Sequence, residues 1–123
     1  MPKRVFILDD ADFIVDMLCA ILKDAGHRIV GTAGNGPDAL EAIAKLPADS
    51  MPEIVTVDFY MPRMDGLETI NRIRALLPDV RILLISAHAT LPVAMKARET
   101  GVDAFIVKPF EPRTLLETLD RLG

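Results

Sequence analysis

Several things are scarce in this chain of 123 residues, and each scarcity excludes something. There is one cysteine, Cys19, so no disulfide framework holds the fold, and a reducing cytoplasm is the expected home. Half of the residues are hydrophobic, yet the longest apolar runs are only strand-sized, which excludes a membrane-spanning helix. The opening Met1-Pro2-Lys3-Arg4 leads directly into a strand and has no signal-peptide hydrophobic region. Basic clusters are missing too, and the net charge is −4. Nucleic acid is therefore not the expected main partner, because affinity for it comes from neutralising phosphates. A chain of this size reads as one domain, able to bury about two-thirds of its unfolded surface.

What is present is a regular alternation. Short β-branched or aliphatic runs at Arg4 to Leu8, Arg28 to Ala33, Ile54 to Val57, Arg81 to Ile85 and Ala104 to Val107 read as five strands. Between them lie helical stripes. The first has Ile14, Met17, Leu18, Ile21, Leu22 and Ala25 on one face, Asp12 and Lys23 suited to the helix dipole, and Gly26 as terminator. Gly34-Asn35-Gly36 is the turn before the second helix, with Pro37 at its first position and Leu40, Ile43 and Ala44 inward. The third helix buries Leu67, Ile70, Ile73 and Leu77 and stops at Pro78. The fourth runs from Leu91 to Thr100, closed by Gly101, and the last starts at Pro112 and buries Leu115, Leu116, Leu119 and Leu122. Strands that are apolar throughout and alternate with helices imply a doubly wound parallel sheet covered on both faces.

Such a sheet binds ligands at the carboxyl ends of its strands, near the switch in strand order. Four of those ends carry chemistry: Asp9-Asp10, Asp58, Ser86-Ala87 and Lys108. Asp58 ends the third strand, and Met61-Pro62 prevents the strand from continuing. Three carboxylates drawn together repel one another, so their charge must be offset. Lys108 is one offset; a hard divalent cation, best Mg²⁺, is the other. The added ammonium and Ser86 hydroxyl suit a phosphoryl group, which makes Asp58 a candidate nucleophile forming an acyl phosphate. Lys108 and the metal would stabilise charge on the phosphoryl oxygens.

Asp9-Asp10, Asp58 with Met61-Pro62 and Asp65-Gly66, Ser86-Ala87, and Lys108-Pro109-Phe110 together resemble the receiver domain of two-component response regulators, over residues 1–123. The resemblance implies a flavodoxin-like (βα)5 fold with strand order 2-1-3-4-5. It also implies that Asp58 takes phosphate from a histidine kinase or phosphotransfer protein, as a phosphoacceptor and not as a turnover enzyme. Asp10, Asp58 and the Tyr60 carbonyl would hold Mg²⁺ directly, with Asp9 acting mainly through water. Lys108 would pair with the phosphoryl group beside the Ala87 backbone N–H, and the peptide to Pro109 is expected to be cis. Ser86 and Phe105 would act as the switch, biasing a protein-docking surface on the fourth helix, fifth strand and fifth helix. Phe105 can be read as only a core aromatic, but its spacing of three residues before Lys108 supports the switch role.

The Gly34-Asn35-Gly36 turn and the segment Asp103 to Pro112 look like the CheY-type regulators of chemotaxis, whose output is docking onto a motor or another signalling protein. The alternative is a receiver belonging to a longer regulator with a transcription or enzyme output. The chain is expected to be a monomer or a weak phosphorylation-dependent dimer. Tyr60, two residues after Asp58, and His88, two after Ser86 at a position that in this family lies beside the phosphorylation site, are candidates for screening the acyl phosphate from water. Asp65-Gly66 reads as turn chemistry and Cys19 as an inert packed thiol. Two other classes fit less well. A flavin carrier of this fold needs a phosphate-cradling loop where Asp9-Asp10 stands. An aspartyl phosphohydrolase of the haloacid dehalogenase type wants its nucleophile on the first strand.

Overall fold

A computed structural model of the chain describes residues 2–58, 66–87, 95 and 98–122. The five apolar runs form strands β1 (Arg4–Leu8), β2 (Arg28–Ala33), β3 (Ile54–Asp58), β4 (Arg81–Ser86) and β5 (Ala104–Val107). All pair in parallel, in the order β2-β1-β3-β4-β5. The fold is the flavodoxin-like one. Its strand order reverses beside β1, so the ends of β1 and β3 define the crevice where ligands bind.

Helices α1 (Asp12–Asp24), α2 (Gly36–Ala44) and α3 (Gly66–Leu76) and a C-terminal helix (Pro112–Leu122) cover the sheet. Side chains alternate along each strand, and this splits the core in two. Phe6, Leu8, Val55, Val57, Ile82 and Leu84 meet Ala39 and Ile43 of α2 and Ile70 and Ile73 of α3. Val5, Ile7, Ile54, Leu83, Ile85 and Ile106 meet Ile14, Leu18 and Leu22 of α1 and Leu115 and Leu119 of the C-terminal helix. Every residue of β3 is buried, as a central strand covered on both sides requires.

Local chemistry sets the element ends. Asn35 caps α2 by accepting the Asp38 N–H at 2.9 Å, so α2 begins at Gly36 and Pro37 is its second residue, not its first. Ala39 is buried on α2 in place of Ala44, which is exposed, because the inward stripe starts one turn earlier. The seven residues from Pro47 to Glu53 contain one turn of 3-10 helix, Ala48–Ser50. Gly26 closes α1 at φ +90° and Gly101 precedes β5 at φ +68°, conformations that L side chains rarely adopt. Of the expected fourth helix, Met95 and residues 98–100 are helical, and 91–94, 96 and 97 lie outside the described residues.

The β1–β2 pairing slips between Val5 and Phe6, so that Phe6 faces Gly31 and Val30 is the extra residue. A Cβ on Gly31 would stand 2.7 Å from Phe6 Cε2. The glycine therefore makes room for the ring of a fully buried Phe6.

Candidate functional site

Each candidate residue is delivered by a strand end. Asp9 directly follows β1, where its N–H still bonds the Ala33 carbonyl of β2 at 3.0 Å. Its Oδ1 accepts the Ala11 N–H at 2.9 Å, a local turn that fixes the carboxylate before α1 begins. Asp58 is the last residue of β3. Ser86 ends β4, is fully buried, and its carbonyl accepts the Lys108 N–H at 2.8 Å. That bond carries the β4–β5 ladder one step further and brings Lys108 back over the crevice. The Lys108–Pro109 peptide is cis.

The Lys108 ammonium reaches Asp9 Oδ2 at 2.7 Å and Asp58 Oδ2 at 3.4 Å. The three side chains are nearly or wholly withdrawn from solvent, with Asp9 at 2% and Lys108 at 14% exposure. An ion pair in such a place is screened little by water. Carboxylate oxygens of Asp9, Asp10 and Asp58 lie within 4.8 Å of one another, with Asp10 on the exposed side. Three acids against one ammonium leave the cluster at −2. Oxygen donors alone, closely spaced and excess in negative charge, fit a hard divalent cation such as Mg²⁺.

Ala87 follows β4 and is exposed. Phe105 is half-buried on β5 opposite Leu84, and its ring packs against the α2–α3 side of the core. The structure thus draws Asp9, Asp10, Asp58 and Lys108 into one cluster, with Ser86 at the adjoining strand end. Tyr60, Met61-Pro62, Asp65 and His88 lie outside the described residues.

The sequence family with this constellation is identifiable. Residues 5–120 match the model of the response regulator receiver domain. The chain belongs to the response regulator receiver family. Among curated receivers, it is 38% identical over 123 residues to the chemotaxis protein CheY of Thermotoga maritima, spanning 100% of this chain and 99% of that protein. It is 33% identical to the transcriptional regulatory protein PdtaR of Mycobacterium tuberculosis, covering 98% of this chain but 56% of that longer protein. Among solved receiver structures, chemotaxis regulator CheY4 of Vibrio cholerae superposes with TM-score 0.86 at 28% identity, with full coverage of both chains. The CheY of a CheX–CheY–BeF3–Mg complex from Borrelia burgdorferi gives 0.89 at 30%, covering 99% of this chain and 90% of that one.

The Asp9–Lys108 pair joins residues 99 positions apart and is the charge offset expected of Lys108, made here directly to Asp9. One feature of this receiver was beyond sequence reasoning, a network around Asp103. Its carboxylate accepts the Ile82 N–H at 2.7 Å and faces both Arg81 and Arg74. A lone aspartate before a strand gave no sign of it.

Proposed function

We propose that this chain is a phosphoacceptor switch, a receiver domain spanning residues 1–123, in which Asp58 takes a phosphoryl group from a phosphohistidine of a sensor kinase or phosphotransfer protein. The observation that carries the reading is the Lys108 ammonium held between Asp9 and Asp58 across the ends of three strands. Balance is simple. An Asp58 carboxylate oxygen bonds to phosphorus, the nitrogen–phosphorus bond breaks, and the released imidazole takes a proton from solvent.

Asp10 and Asp58, with the Tyr60 carbonyl, would hold Mg²⁺, and Asp9 would contact it mainly through water. When bound, the metal supplies positive charge that offsets the transferring phosphoryl oxygens. Lys108 contributes from the other side: its ammonium already lies 3.4 Å from Asp58 and can follow the acceptor oxygen once it carries phosphate. The Ala87 backbone N–H and the Ser86 hydroxyl, at the end of the neighbouring strand, would donate to phosphoryl oxygens. Ser86 moving toward the phosphate makes room for Phe105 to turn inward from its half-buried position. That change is read by a protein target on the surface formed by the fourth helix, β5 and the C-terminal helix. Tyr60 and His88 are the residues proposed to set how long the acyl phosphate lasts.

The protein acts once per phosphoryl group and not as a turnover enzyme, in the cytoplasm, where kinase and target are found. Similarity to CheY over nearly the whole of both chains supports a chemotaxis-type output by docking. PdtaR, of which this chain spans 56%, supports the second reading, a receiver serving a longer regulator.

Incubation with acetyl phosphate and Mg²⁺, followed by intact mass measurement, tests the chemistry. One added phosphoryl group is expected, absent from Asp58→Asn. An unmodified wild-type chain, or an adduct that survives in Asp58→Asn, refutes it.

A further inference from the structure

At the amino-terminal edge of the sheet, opposite the acidic cluster, the starts of β1, β3 and β4 border a cleft of about 440 Å³. That volume is in the range that holds a small organic ligand. Leu76 and Leu77 at the end of α3, buried Val80 before β4 and Leu122 of the C-terminal helix supply its apolar lining. Leu76 stays 47% exposed, a large aliphatic side chain left to water.

Backbone bonds hold two sides of the cleft in place. Leu77 donates to the Ile73 carbonyl at 2.8 Å and Val80 to the Leu77 carbonyl at 3.1 Å, which closes the turn around Pro78. Across the cleft the Lys3 N–H donates to His27 Nδ1 at 3.0 Å, and the Lys3 carbonyl accepts the Arg28 N–H at 2.9 Å. A cleft already formed lowers the ordering cost of binding.

The charged side chains of the lining are not equivalent. Glu53 Oε1 accepts the Arg4 N–H at 3.0 Å and lies 3.4 Å from Arg4 Nη1, so these two satisfy each other. Arg81 is drawn to Asp103, at 3.4 Å. The Lys3 ammonium has no acceptor among the described residues. Lys3, Arg4 and Arg81 against Glu53 and Asp79 leave +1, on a chain whose net charge is −4. One carboxylate matches that excess, whereas a phosphate ester with two charges overshoots it beside Glu53 and Asp79.

We infer that this cleft binds a small amphipathic carboxylate, an aliphatic acid whose head pairs with Lys3 and whose hydrocarbon body covers Leu76, Leu77 and Val80. The flexible Lys3 stem can lie along the apolar lining while its ammonium meets the carboxylate. The site lies at the strand starts, so it is separate from Asp58 and independent of the phosphoacceptor reading.

Octanoate is the probe, titrated into the full chain while backbone amide shifts are followed by NMR. Saturable shifts at Lys3, Glu53, Leu77, Val80 and Leu122 are expected, half-complete near about 1 mM. The amides of Asp9, Ala11 and Lys108 at the other edge should stay still. Lys3→Glu should weaken binding about tenfold, since it replaces an attraction by a repulsion, and Lys3→Arg should bind within about threefold of wild type. Leu76→Glu, at an exposed position that does not threaten the fold, should weaken it by a similar factor. Octylammonium should bind about tenfold and octan-1-ol about threefold more weakly than octanoate. Shifts that stay linear in octanoate, or that centre on exposed Phe13 and Met17 of α1, overturn the proposal. So does octanoate binding that Lys3→Glu leaves unchanged, or an alcohol that binds as tightly as the acid.

Discussion

Replacing Asp58 by asparagine should make the metal-free protein more stable while removing its response to Mg²⁺. The size of the effect follows from the cluster. Oxygens of Asp58, Asp9 and Asp10 lie within 4.8 Å of one another, where each like-charge pair costs about 3.5 kcal/mol at an effective dielectric constant of about 20. The ammonium of Lys108, 3.4 Å from Asp58, returns about 5 kcal/mol on the same scale. Facing two repulsions and one attraction, the Asp58 charge is opposed by on the order of 2 kcal/mol. Water around exposed Asp10 reduces that figure and burial of Asp58 raises it again. Asparagine keeps the shape and removes the charge, leaving Lys108 to Asp9 alone at 2.7 Å. For a chain of this length, a gain of about 2 kcal/mol corresponds to a rise of roughly 8 °C in Tm. Urea unfolding with a chelator present, repeated with Mg²⁺, measures both halves. Mg²⁺ should stabilise the wild type by mass action and the variant far less. A metal-free Asp58→Asn protein no more stable than the wild type, or one that Mg²⁺ stabilises equally, would refute this electrostatic account.

Three further outcomes are expected. Gly31→Ala should lose about 1–3 kcal/mol in denaturant unfolding, because the new methyl meets Phe6 Cε2 at 2.7 Å in a filled core; a neutral change would mean that the bulge relaxes freely. Thr56→Val should gain about 1 kcal/mol, since the Thr56 hydroxyl is buried with no hydrogen-bond partner among the described residues and the shape is kept; a loss of stability would refute that reading. Burial pushes the Cys19 thiol above its usual range, with Asp16 adding to the rise and Lys23 opposing it. Alkylation by iodoacetamide near pH 8 should accordingly run slower in the folded protein than in urea, and equal rates would contradict the assignment.

Most of this architecture was legible in the chain itself, because the signals are local. Runs such as Ile54 to Val57 can only be covered strands, and the five strands begin and end within a residue of their expected limits. Parallel connection then forces Asp9, Asp58 and Lys108 to one edge, whatever their separation in sequence. Legibility failed where a partner is chosen in three dimensions. Periodicity placed Ala44 inward, but the cap at Asn35 sets the phase of α2 and exposes it. Asp9 and Asp58 could each have held Lys108 alone; the Asp9 turn to the Ala11 N–H presents Oδ2 to the ammonium, and the two distances come out unequal. Arg74 carries no local signal for its bond to the Gly101 carbonyl, 27 residues further along the chain.

The 99-residue reach of the Asp9–Lys108 pair has a consequence for the timing of synthesis. Asp58 on β3 is made when the chain is half complete, but its ammonium partner arrives only with the residue after β5. A chain still emerging from the ribosome folds from its amino end, and until β5 joins the sheet it carries uncompensated acids at an open crevice. The charge balance of the crevice is therefore the last feature of the fold to be completed, and it depends on the finished sheet.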